Sequence, residues 1–167
     1  MFGFKGNKFE NSYSDYFRLR FGRKIVKDLR EKPTNESLEK GHDITFNEFL
    51  TYVSNLNVSD HKHQFNEHWR PVFDLCHPCL LDYDLIGKYE TLHSDAQLVL
   101  WKARISHLIQ FPKREETYSY QPSSDLLFNY YSNISETLIS KLSEVYIQDL
   151  ELFQYDKGIY FEDQSKI

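Results

Sequence analysis

No stretch of the 167 residues approaches the roughly 20 consecutive apolar side chains that a membrane-spanning helix needs. Met1 is followed by Phe, Gly, Phe and Lys, not by a charged start and an apolar run, so no secretory leader is legible. Positive charge is not in excess either. With 25 acidic residues against 20 Lys and Arg, the net charge is -5, and no global basic field draws the chain onto nucleic acid. Cysteine is confined to Cys76 and Cys79. Internal repeats and low-complexity segments are absent.

What is present suits one packed domain. Hydrophobic residues make up 40% and aromatics 16% of the chain, enough apolar mass for a core. Charge is uneven along the sequence. Arg18, Arg20, Arg23, Lys24, Lys27, Arg30 and Lys32 face only Asp28 and Glu31 between positions 18 and 32. A solvated helix face explains such a run, and a local groove for an anionic ligand is the alternative. Three triplets fit N-glycosylation, at Asn35, Asn57 and Asn133, each followed two residues later by Ser. They point to a lumenal history.

Residues 1–15 read as an irregular lead-in, 16–156 as the folded part and 157–167 as a tail. Phe17, Phe21, Ile25 and Leu29 recur every fourth position, which predicts a helix over 16–31. Lys32-Pro33-Thr34-Asn35 ends it. Thr45 and Glu48 form a capping box for a short helix with Phe46, Phe49, Leu50 and Val53 inward. Residues 54–65 read as a loop, and 66–81 as turns with a short helical piece. Asp84 to Tyr89 predicts a buried strand. Ser94 or Asp95 caps a helix to about Arg104. Residues 112–122 read as a loop. A last amphipathic helix starts near Ser135 and ends in Phe153 and Tyr155.

The most informative run is Asn66-Glu67-His68-Trp69-Arg70-Pro71, then Leu75-Cys76-His77-Pro78-Cys79, then Asp82-Tyr83-Asp84-Leu85-Ile86-Gly87-Lys88-Tyr89-Glu90. It resembles the signature of the Golgi carbohydrate sulfotransferases that act on chondroitin, dermatan and N-acetylgalactosamine, and of the related glucuronyl sulfotransferases. Weaker matches run outward through Phe21-Gly22, Ile44-Thr45-Phe46, Tyr131-Ser132-Asn133 and Asp149 to Tyr155. The resemblance covers about Tyr16 to Tyr155.

The resemblance implies a C-terminal portion of such a domain. Its fold class is α/β, an incomplete nucleotide-binding parallel-sheet domain, with this piece mostly helical and contributing one or two strands. The implied reaction moves a sulfuryl group from 3′-phosphoadenosine-5′-phosphosulfate to a sugar hydroxyl of a glycan, without a metal. The implied setting is the lumenal side of the Golgi membrane, with an anchor expected in a full-length member and not present here. Two donor motifs of the family, a phosphosulfate loop after the first strand and an Arg-Asp-Pro-type strand end, have no counterpart in these residues. Gly3 to Lys8 follows no strand and opens no apolar helix. The chain is therefore expected to be a fragment, a truncated gene product or an incomplete gene model. The alternative is an inactive remnant that binds a glycan or a partner protein.

Within that resemblance, His68 is the candidate general base or acceptor contact, since imidazole titrates near working pH. A structural, hydrogen-bonded His is the competing reading. Trp69 and Arg70 are candidate acceptor contacts, and Arg70 could instead pair with Asp74. Lys88, Lys113 and Arg114 are candidate donor contacts, with Glu90 either beside them at a strand end or capping the next helix. For Cys76 and Cys79 the first expectation is a disulfide suited to a lumenal enzyme, ahead of free thiols and of a zinc half-site.

Overall fold

The structure, a computed structural model, describes residues 12–56, 65–112 and 123–155. Helix α1 (Ser12–Phe17) passes through a π-turn (Arg18–Gly22) into α2 (Arg23–Leu29). Then come α3 (Asn35–Lys40), α4 (Phe46–Ser54), α5 (Val72–Cys76) and α6 (Leu92–Lys102). The order closes with α7 (Ser123–Tyr131), α8 (Glu136–Val145) and α9 (Ile147–Leu152).

Local signals set most helix ends. Thr34 accepts the Ser37 amide at 3.1 Å, and Gly41 closes α3 in the left-handed region at φ 57°. Helix α3 was not expected from the sequence, although this cap and this glycine frame it. At α4 the capping box is complete: Glu48 N–H donates to Thr45 Oγ1 at 3.2 Å, and Thr45 N–H donates to Glu48 Oε2 at 2.8 Å. Ser135 caps α8 by accepting from Leu138 N–H at 3.3 Å. The first helix begins at Ser12 and not at 16.

The core gathers Ile25 of α2, Tyr52 and Val53 of α4, Phe65 and Val145 of α8. Leu29, Phe49, Trp69, Leu142 and Tyr146 pack against it. Leu50 and Val53 are buried as expected for the helix after the capping box, and Phe46 lies half-buried against the rings of Tyr130 and Tyr131. Ile25 and Val26 are fully buried, so Ile25→Ala should cost about 3 kcal/mol. Two glycines let the chain double back over α2. A side chain on Gly22 would overlap the Gly41 carbonyl, and one on Gly41 would strike the Arg18 carbonyl.

Behind this core, Arg30, at the C-terminal end of α2, ties the loop at Asp43 to helix α4. Its guanidinium donates to Glu48 at 2.5 and 2.9 Å, to the Asp43 carboxylate at 2.7 Å and to the Asp43 carbonyl at 3.0 Å. The Arg30 hydrogen bonds hold the Glu48 carboxyl down to about 2 against the cost of burial. Burial pushes Asp43 upward, but Arg30 and Ser37 together bring it below its ordinary value.

The strand expected over Asp84 to Tyr89 does not form, and no strand occurs among the described residues. Asp84–Gly87 have no backbone–backbone hydrogen bond among the described residues, Ile86 is 55% exposed, and Lys88 N–H goes to the Asp95 carboxylate at 2.9 Å. A segment with no neighbouring strand has no ladder to join. The described chain is thus mostly helical.

Candidate functional site

The signature run folds as a tight unit on the core. Trp69 is wedged among Phe21, Phe49 and Phe17, with ring centroids 4.5, 5.5 and 6.3 Å away. Its carbonyl accepts a hydrogen bond from the Tyr146 hydroxyl at 2.7 Å. His68 lies outside this wedge, its side chain 58% exposed, with an edge-on contact to Phe17 at 4.7 Å. Asn66 Oδ1 accepts the His68 backbone N–H at 3.1 Å, which identifies it as the amide oxygen. The same oxygen lies 2.7 Å from His68 Nδ1, which puts a proton on Nδ1 and, in the neutral ring, the lone pair on Nε2.

Arg70 Nη2 donates to the Phe65 carbonyl at 2.8 Å. Arg70 Nε and Trp69 Nε1 are buried without an acceptor among the described residues. Such donors are uncommon in a finished interior.

Three separate points of this region are held by one short stretch, residues 146–155. Tyr146 bonds Trp69, and Asp149 accepts Val72 N–H and Phe73 N–H at 2.7 Å each. Farther along, Lys88 Nζ lies 4.8 Å over the Tyr155 ring and 3.4 Å from the Gln154 carbonyl. The Tyr155 hydroxyl donates to Glu90 at 3.0 Å. Burial first, then the Glu90 carboxylate, raises the Tyr155 hydroxyl above its ordinary value. Glu90 therefore serves this contact and not the start of α6. That helix begins at Leu92, and Asp95 braces its entry by accepting from Thr91 Oγ1 at 2.5 Å as well as from Lys88 N–H.

Cys76 and Cys79 are both exposed free thiols, so the expected disulfide is not formed. Left-handed His77, at φ 47°, turns the chain at the end of α5, and its N–H bonds back to Phe73. Asn35, at the start of α3, and Asn133, between α7 and α8, are exposed. Asn57, Lys113 and Arg114 lie outside the described residues.

The basic strip over 18–32 is largely engaged within the fold. Arg20 lies over the Tyr16 and Phe21 rings, Lys24 pairs with Asp28, and Arg30 is bound as above. A cleft of about 370 Å³ lies beside it, lined by Asp15, Arg18, Leu19, Lys40 and His42. Arg18 pairs with Asp15 and Lys40 with Glu36, which uses the cations of that cleft.

The family model described as "Sulfotransferase family" matches residues 6–156, a span that includes every group named above. This chain belongs to the sulfotransferase family. It is 38% identical over 156 residues to Carbohydrate sulfotransferase 11 of Mus musculus, covering 93% of this chain and 44% of that protein. It is 32% identical over 139 residues to Carbohydrate sulfotransferase 14 of Danio rerio, covering 83% of this chain and 36% of that protein. To Carbohydrate sulfotransferase 8 of Homo sapiens it is 29% identical over 153 residues, 90% of this chain and 35% of the relative. The chain thus spans less than half the length of these curated relatives. No solved structure matches the chain.

Within the family portion, the sequence pointed to His68, Trp69, Arg70 and Lys88, but not to what organises them. Asp149 and Tyr146 were visible only as parts of the last helix. Their partners lie 77 positions away along the chain, beyond any local pattern.

Proposed function

We propose that this protein is a carbohydrate sulfotransferase in which residues 65–90, held by residues 146–155, form part of the site, with His68, Trp69 and Arg70 on its glycan side. The observation that carries this reading is the sulfotransferase match over 6–156, joined to relatives whose names specify carbohydrate. The co-substrate is 3′-phosphoadenosine-5′-phosphosulfate. In the reaction the bond from sulfur to the phosphate oxygen breaks and one from sulfur to the sugar oxygen forms. Adenosine 3′,5′-bisphosphate leaves, and the hydroxyl proton passes to a base. Charge spreads over the equatorial oxygens, so positioning and cations do most of the catalysis.

His68 suits the base. Its Nδ1–H is committed to Asn66, which presents the Nε2 lone pair, and the ring is exposed enough to meet a hydroxyl. Trp69 and Arg70 are assigned to the acceptor, supported by their place next to His68 in the signature run. Lys88 is assigned to the donor, together with Lys113 and Arg114. The Golgi lumen is the proposed compartment, with Asn35, Asn57 and Asn133 as glycan attachment sites. The exposure of Asn35 and Asn133 supports that assignment.

The test is transfer of radiolabelled sulfate from the donor to desulfated chondroitin, dermatan and N-acetylgalactosamine-terminated acceptors by the protein in its longest natural form. Label on a sugar hydroxyl is expected, and absence of label on every acceptor would overturn the proposal. A glycan- or partner-binding module without turnover is the second reading. Acceptor binding without transfer in the same assay selects it.

A further inference from the structure

Arg20 is placed differently from the paired cations of the 18–32 strip. Arg18 pairs with Asp15, Lys24 with Asp28, and Arg30 with Asp43 and Glu48. Among the described residues Arg20 has no such carboxylate partner. Its guanidinium lies 5.5 Å from the centre of the Tyr16 ring and 5.3 Å from that of Phe21, and Nη1 donates to the Tyr16 hydroxyl. The two rings orient a group that is exposed and keeps most of its N–H donors. The backbone beneath it is fixed as well. Arg20 sits in the π-turn, closed by the Arg23 N–H on the Arg18 carbonyl, a local form common at functional sites. Gly41 backs that turn so closely that no side chain fits at Gly22. The same turn reaches the candidate site. Phe21 meets Trp69 edge-on at 4.5 Å and stacks on Phe17 at 5.7 Å, and Phe17 meets His68 at 4.7 Å. Two rings, Phe21 and Phe17, thus separate Arg20 from His68.

We propose that Arg20 is a specificity residue for the acceptor, its guanidinium holding an oxyanion, a carboxylate or a sulfate ester, on a sugar neighbouring the one that reacts. The proposal rests on the placing of His68 on the glycan side. Three features carry it to an anion. In a chain with 25 acidic residues against 20 Lys and Arg, a surface arginine has carboxylates at hand, yet the fold surrounds this one with rings. The nearby acids Asp15 and Asp28 are taken up by Arg18 and Lys24, so their charge is offset where the anion would approach. Finally, the planar fork of a guanidinium matches an oxyanion through two parallel N–H bonds, and a fork already oriented loses little freedom on binding. Tyr16 and Phe21 are therefore positioning residues for Arg20, and the π-turn sets its distance from the reacting hydroxyl.

The experiment measures glycan binding by calorimetry, with the protein in its longest natural form. Three chondroitin hexasaccharides serve as probes: desulfated, with carboxylates only; sulfated and carboxyl-reduced, with sulfate esters only; and desulfated and carboxyl-reduced, which is neutral. Arg20→Gln should weaken binding of an anionic probe at least about 10-fold and leave the neutral one nearly unchanged. A loss confined to the first or the second probe identifies the anion as carboxylate or sulfate ester. Lys27→Gln, which removes the same charge from an exposed position of α2, should have little effect on any probe. No binding of either anionic probe by the wild type would overturn the proposal. So would an equal loss on the neutral probe, which makes Arg20 structural, or an equal loss in Lys27→Gln, which makes the effect one of general charge. In the sulfate-transfer assay, Arg20→Gln should raise KM for the anionic glycan about 10-fold and leave kcat within about 2-fold. Arg20-dependent binding without transfer preserves the anion site and removes the proposed activity. Transfer with an unchanged KM in Arg20→Gln does the reverse.

Discussion

Both carboxylate oxygens of Asp149 accept consecutive backbone amides, Val72 N–H and Phe73 N–H, at 2.7 Å each across 77 and 76 positions of chain. The amides are the first two of α5, whose N-cap, Pro71, offers no side-chain acceptor. Asp149 thus acts as a cap supplied from another part of the fold. Asp149→Ala should cost about 1–2 kcal/mol in urea unfolding, and Asp149→Asn should lose less because one acceptor oxygen remains. Equal stability of all three proteins would refute the cap.

The Tyr146 hydroxyl gives a second check on the same strap. Burial first, then the neighbouring Asp149 charge, raises it to about 12. A raised acid is harder to ionise in the folded state, so its contribution is intact below pH 10 and is lost as pH climbs toward 12. Tyr146→Phe should cost about 1 kcal/mol at neutral pH through the lost bond to Trp69. It should also remove the most alkaline step from a spectrophotometric tyrosine titration.

How much of this was readable follows from the range of each interaction. The capping box at Thr45, the end of α2 before Pro33 and the cap at Ser135 are decided within four residues, and the sequence shows them directly. The 84–89 strand was misjudged because an apolar run specifies a strand only where a neighbouring strand exists to pair with. His68, Trp69 and Arg70 could be picked out by type and neighbourhood. The aromatic wedge that fixes Trp69 draws on Phe17, Phe21 and Phe49, and no spacing rule brings those four together. Glu48 was legible as half of a capping box, while its tie to Arg30 spans 18 positions.

That tie has a pH signature. The Arg30 hydrogen bonds depress the Glu48 carboxyl from 4.5 to about 2. The stability it contributes is present above pH 4.5 and is lost as pH falls toward 2. Over that window the wild-type chain should lose about 2 kcal/mol more than Glu48→Gln, after allowance for partial solvent screening. Parallel stability-against-pH curves for the two proteins would contradict the assignment.

Gly41 is a sharper structural test. Its φ of 57° disfavours a side chain, and a Cβ there would collide with backbone atoms of Arg18 and Arg23. Gly41→Ala should destabilise by more than about 2 kcal/mol, through strain and displacement of α3 from the π-turn. Lys27→Ala, at an exposed position in the same region, should change stability by less than about 0.5 kcal/mol. Thermal unfolding of the pair decides it.

The proposed general base is the exposed imidazole of His68, whose Nδ1 lies 2.7 Å from Asn66 Oδ1. The most direct measurement compares radiosulfate transfer to a glycan acceptor by wild type and His68→Ala in the protein's longest natural form. Turnover should fall about 100-fold or more while KM for the glycan and the thermal midpoint change little. Unchanged turnover with a lowered thermal midpoint would make His68 a structural residue and contradict its assignment as the base on the glycan side.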